Sequence, residues 1–91
     1  MIRVERDGDV CVVSIDRPER RNALRPTDLD VLADAARQVT APVLYLRGEG
    51  PAFCAGADLD VVSGLDRGGA RDLAARGQRV VRAFESTDAV V

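Results

Sequence analysis

The chain has 91 residues, 46% of them hydrophobic and 31% charged, and a formal net charge of −2. That size allows one domain or part of one, and the apolar content excludes a wholly disordered chain. The acidic balance and 3% aromatics argue against nucleic-acid binding by phosphate neutralisation or base stacking, and no apolar run approaches bilayer length.

Residues 2–6 and 10–16 predict two strands around the turn Asp7-Gly8-Asp9, since Gly and Asp tolerate the backbone angles of a tight reversal. Val10, Val12 and Ser14 would face one way, and Cys11, Val13 and Ile15 the other. Both faces are mostly apolar, so burial on both sides is expected. Residues 17–26 form an Arg-rich loop bounded by Pro18 and Pro26. A helix is expected from near Thr27, with Thr27 and Asp30 as a capping-box-like pair, ending near Thr40 before Pro42. Its apolar positions Leu29, Leu32, Ala33, Ala36 and Val39 recur at helical spacing. Val43–Leu46 reads as a buried strand, which completes a β-α-β parallel crossover. A short helical turn at 58–63 follows, with Asp58 as its cap. Gly64 to Gly69 reads as a mobile loop. A long helix is expected at 70–86, with Ala70, Leu73, Ala74, Gly77, Val80, Val81 and Phe84 on one stripe. Ala89-Val90-Val91 reads as the start of a further strand, as if cut short.

The absences narrow the chemistry. There is no His and no Lys, so His-based triads, His metal sites, Schiff bases and a P-loop lysine are excluded. No metal site is expected. Residues 1–15 carry Arg3, Glu5, Arg6, Asp7 and Asp9, which leaves no signal-peptide hydrophobic region. A cytoplasmic location with reduced thiols at Cys11 and Cys54 is expected, Cys54 as a small buried filler.

The loop Gly48–Asp58, GEGPAFCAGAD, is the chemical focus. A dinucleotide fingerprint fails because Phe53 takes the third glycine's place. A P-loop fails because no Gly-Lys-Ser/Thr follows. A third reading is a small-residue loop after a buried strand, presenting backbone N–H groups at a helix start, where they would bind an anion or stabilise an oxyanion.

Two segments carry a resemblance: Ile15-Asp16-Arg17-Pro18-Glu19-Arg20-Arg21-Asn22-Ala23-Leu24 and Ala52-Phe53-Cys54-Ala55-Gly56-Ala57-Asp58-Leu59. Together, in this order and at this separation, they resemble the enoyl-CoA hydratase/isomerase, or crotonase, family. The resemblance covers the chain but only the N-terminal part of a family member. It implies an α/β fold, the N-terminal part of a crotonase-type β-β-α spiral, with 1–91 a portion of one domain. It also implies an acyl-CoA thioester substrate, with coenzyme A entering as part of that substrate and no separate cofactor. By position, Ala57 matches the backbone N–H donor of the family's oxyanion hole. Ala55, Asp58 and Leu59 match positions lining coenzyme A, although Asp58 also suits a helix cap. Arg20 and Arg21 fall in the loop the family brings near the CoA phosphates, and solvated surface pairing is the simpler role for them.

The family's second oxyanion donor and its two catalytic Glu lie downstream of the matched part. The 91-residue chain alone is therefore expected to be inactive, and to need a missing C-terminal part or crotonase subunits, which form trimers or hexamers in the family. The complete enzyme would stabilise a thioester enolate in fatty-acid or related acyl-CoA metabolism. The alternative is a catalytically inactive module that docks on full-length relatives. Nucleic-acid and membrane partners are not expected.

Overall fold

A computed structural model describes all residues, 1–91. Strand β1 (Ile2–Asp7) turns through Gly8, at φ +59°, into the antiparallel strand β2 (Val10–Ile15). Helix α1 (Pro26–Gln38) then carries the chain to β3 (Val43–Gly48), which runs parallel to β2. The sheet order is β1-β2-β3. A crossover helix is what a parallel neighbour requires, because a two-residue turn cannot reverse the chain twice. Val90 bridges Val43 in parallel on the outer edge of β3, with Leu44 N–H donating to Val90 O at 2.8 Å. Helices α2 (Leu59–Val62) and α3 (Arg67–Ser86) lie between β3 and that bridge in sequence.

The core forms on one face of the sheet. Cys11, Val13 and Leu44 pack against Leu32 and Ala35 of α1, with Val80 and Phe84 of α3 alongside. Ala33 and Ala36 of α1 meet Ala83 of α3 through small side chains. The other face, carrying Val10, Val12, Val43 and Tyr45, has no helix over it, and Tyr45 is 53% exposed. The expected burial on both sides therefore holds for only one. Ser14 on that open face is nonetheless buried, under the Arg47 side chain, whose Nε donates to Ser14 Oγ at 3.1 Å. No helix is long and apolar enough to cross a membrane.

Two helix starts and the buried positions of the last helix differ from the sequence expectation. Helix α1 starts at Pro26, not Thr27, and its cap is Arg25, whose N–H donates to the Asp28 carboxylate at 2.9 Å. Proline suits the first helical position because its missing N–H has no partner there. Residues 67–69 are helix, not loop, because the Asp66 carboxylate accepts from Gly69 N–H at 2.7 Å and caps α3. On α3 the fully buried position is Ala83, whereas Ala74 and Val81 are exposed.

Candidate functional site

Parallel pairing sets the location. Ile15 ends β2 opposite Gly48 at the end of β3, so the loops that follow, 16–25 and 49–58, leave from the same end of the sheet. The first loop winds through a 3-10 turn at Pro18–Arg20, closed by Arg21 N–H to Pro18 O at 3.0 Å. Arg21 and Asn22 then both take left-handed backbone angles, φ 53° and 59°.

The second loop is sewn to the first by backbone hydrogen bonds. Ala55 N–H donates to Arg21 O at 3.1 Å, Leu24 N–H to Gly56 O at 2.8 Å, and Asp58 N–H to Leu24 O at 2.9 Å. The last two make a parallel bridge between Leu24 and Ala57. A bridge of this kind uses the peptide groups on either side of Ala57, and extended backbone alternates its direction at each residue. The N–H of Ala57 itself therefore points away from Leu24, and it has no hydrogen-bond partner in the protein. Gly56, at φ +106°, supplies the reversal immediately before it. Ala57 is exposed and borders a hollow of about 310 Å³. The same hollow is lined by Arg20, Arg21, Ala55, Asp58 and Leu59, with Ala23. A larger hollow of about 510 Å³ between β1 and α1 contains none of these residues.

Electrostatically, the loop's arginines are unequal. The Asp58 carboxylate is buried and takes Arg17 at 2.7 Å, Arg20 at 3.3 Å and the Asp60 N–H at 2.9 Å. The Arg17 hydrogen bond, which outweighs the desolvation, holds the Asp58 carboxyl below its ordinary pKa. Arg20 also pairs with Asp60, and the two carboxylates raise the guanidinium pKa. Arg25 is held by Asp28 at 2.9 Å. Arg21 has neither an ion pair nor a side-chain hydrogen bond, and it is exposed on the rim of the hollow. One residue with an unpaired backbone donor and one with an unpaired cation thus border the same hollow. Such a pair suits a ligand with a polarisable carbonyl and a separate anionic group.

Known proteins agree on one kinship. A Mycobacterium tuberculosis protein named "Probable enoyl-CoA hydratase echA6" is 42% identical over 62 residues, which is 65% of this chain and 26% of that protein. The crotonyl-CoA hydratase of Syntrophomonas wolfei is 33% identical over 92 residues, 96% of this chain and 35% of its own length. Among solved structures, an enoyl-CoA hydratase of Mycobacterium smegmatis superposes with a TM-score of 0.87 at 30% identity, over 97% of this chain and 37% of that one. The chain belongs to the enoyl-CoA hydratase/isomerase, or crotonase, family. No protein-family model matches it. The chain spans about a quarter to a third of the length of these crotonases.

All six residues nominated on the crotonase resemblance surround one hollow, in different situations. Ala57 offers a free N–H, and Arg21 a free guanidinium. Ala55 and Asp58 have already spent their N–H groups on the facing loop. Leu59 is 79% exposed at the start of α2. Asp58 caps that helix, as expected, and also clasps the arginine loop. Arg20 is committed to Asp58 and Asp60. Cys54 is half-buried, not buried, and its Sγ accepts from Gly56 N–H at 3.4 Å, which stiffens the turn before Ala57. Two further residues of the crotonase-like motif, Arg17 and Asn22, have structural duties at the site that the sequence pattern does not reveal. Their partners lie up to 41 residues away, beyond local pattern.

Proposed function

We propose that the chain binds an acyl-CoA thioester, with the Ala57 N–H donating to the thioester oxygen as negative charge develops there. The supporting observation is the free Ala57 N–H beside a hollow whose rim carries one uncommitted cation, Arg21. Gly56-Ala57 brings backbone close to the ligand without a bulky side chain, and a backbone donor costs no reorganisation when charge appears. Arg21, not Arg20, meets a phosphate of the coenzyme A portion. The working enzyme is of the enoyl-CoA hydratase/isomerase type in acyl-CoA metabolism, in the cytoplasm. Its second oxyanion donor and proton-transfer groups come from polypeptide outside these 91 residues or from neighbouring subunits. Coenzyme A arrives with the substrate, and no separate cofactor takes part.

The test is a titration of the ¹⁵N-labelled chain with butyryl-CoA, which cannot be hydrated, and with coenzyme A alone. The Ala57 amide resonance moves with the thioester and not with coenzyme A. Arg21→Ala weakens butyryl-CoA binding about tenfold, as loss of a charge-assisted hydrogen bond worth about 1.5 kcal/mol requires, and leaves a pantetheine thioester unaffected. In a turning-over assembly, Ala57→Pro lowers kcat by about 10²–10³. An Ala57 amide indifferent to the thioester, or Arg21→Ala acting equally on both ligands, contradicts the proposal.

A further inference from the structure

Asn22 is fully buried at φ 59°. Its Nδ2 donates to Glu49 O at 2.8 Å and to Ala52 O at 2.7 Å. Its Oδ1 accepts from Arg17 N–H at 2.8 Å. Only a short side chain bearing two donors and an acceptor meets this demand, since turning the amide over would set Oδ1 against two carbonyls. The contacts join the arginine loop to both the start and the middle of the loop that ends at Ala57. Two residues beyond Asn22, Leu24 makes the two hydrogen bonds that set the direction of the Ala57 peptide.

We infer that Asn22 is a positioning residue: its side chain cross-links the two loops and thereby aims the Ala57 N–H into the hollow. The inference rests on the proposed role of Ala57 and adds what sustains it. Asn22 never touches the ligand. Its donors fix the spacing between the Glu49–Ala52 backbone and the left-handed turn at 21–22. Without them the Leu24–Ala57 bridge becomes a short, solvent-accessible pairing, which opens easily.

Two variants separate the side chain from the backbone angle. Asn22→Gly keeps a positive φ at no steric cost and removes all three side-chain bonds. Asn22→Asp keeps the acceptor for Arg17 N–H and removes both donors. Residue-resolved amide exchange on the 91-residue chain is the readout, together with the position of the Ala57 amide resonance. At pH 7 both variants lose about tenfold or more protection at Leu24, Ala55 and Asp58, while Val13 in the sheet holds within about threefold. The Ala57 resonance shifts in both. The introduced carboxyl of Asn22→Asp faces two carbonyls, so burial raises its pKa. On acidification it gains an O–H donor, and loop protection, corrected for intrinsic exchange, partly returns. Asn22→Gly shows no such recovery.

Protection lost equally in sheet and loops would reduce Asn22 to general stability and overturn the inference. So would intact loop protection in Asn22→Gly, or an Asn22→Asp loop that fails to tighten in acid. Failure of the thioester reading appears separately, as an Ala57 resonance that butyryl-CoA leaves unmoved in the unsubstituted chain.

Discussion

At Gly48 the following loop leaves no room for a side chain: a Cβ there would lie 2.2 Å from the Phe53 carbonyl oxygen. The obstacle is backbone, so no rotamer change relieves it. Gly56 is constrained differently, since a Cβ would meet nothing within 4 Å but φ is +106°. One glycine allows the loop to fold back on β3, and the other turns it toward Ala57. Gly48→Ala should therefore push the 52–53 backbone outward and cost about 1–3 kcal/mol, the usual range for overpacking. Urea unfolding measures it, and a variant with an unchanged midpoint would refute the close approach. At this scale the sequence was partly legible. Small residues before a helix announced a loop able to present N–H groups. Arg20 and Arg21 could not be told apart, because the carboxylates that occupy Arg20 lie 38 and 40 residues away. Asn22 was opaque for the same reason, since two of its three side-chain partners come from the far loop.

Among the elements, periodicity located the strands and α1, because alternation and the helical repeat are local properties. Helix starts were less legible. Arg25 is an unusual cap residue, and its role depends on Asp28 reaching back to its N–H. The Gly68-Gly69 pair disguised the first turn of α3, which Asp66 stabilises. Helix α2 has four residues and cannot persist by propensity alone. It is held by Asp58, which caps it and pairs with Arg17 and Arg20. The depressed Asp58 pKa makes this clasp pH-dependent. A carboxyl titrating lower when folded adds stability that is complete above its unfolded value of about 3.9 and is lost as pH falls through the folded value. Asp58→Asn retains an acceptor for the cap and removes the ion pairs. Its urea midpoint should fall below that of the unsubstituted chain at pH 7, and the gap should close as pH falls below about 3.9. A gap of constant size across that window would show that charge does not hold the clasp.

The whole molecule is flat, with extents of 43 × 27 × 14 Å. Its radius of gyration is 13.5 Å, against about 12 Å for a compact chain of this length. Its accessible surface of 5776 Å² exceeds the amount typical of a 9.7 kDa monomer by about 650 Å². The one-sided cover of the sheet accounts for the shape. Val10, Val12, Val43 and Tyr45 form its apolar centre, and Arg3, Arg47 and Glu49 join in ion pairs at one end of it. The sequence showed these residues to be apolar, but not which face the helices would take. The α3 stripe, by contrast, is partly satisfied, since Val80 and Phe84 pack against the core. In purified protein a second copy of the chain should seat on the open sheet face. Val10, Val12 and Val43 are already half-buried and only Tyr45 is exposed, so the patch is small for an interface to which each stable partner contributes roughly 800 Å², and association should be weak and concentration-dependent. Sedimentation velocity on the 91-residue chain should show mass rising above 9.7 kDa at micromolar to millimolar loading. Tyr45→Glu, at the centre of the open face and away from the Ala57 hollow, should return the chain to monomer while leaving the core helices folded by circular dichroism. A monomer at every concentration, with cooperative unfolding, would mean that the open sheet face is tolerated in water.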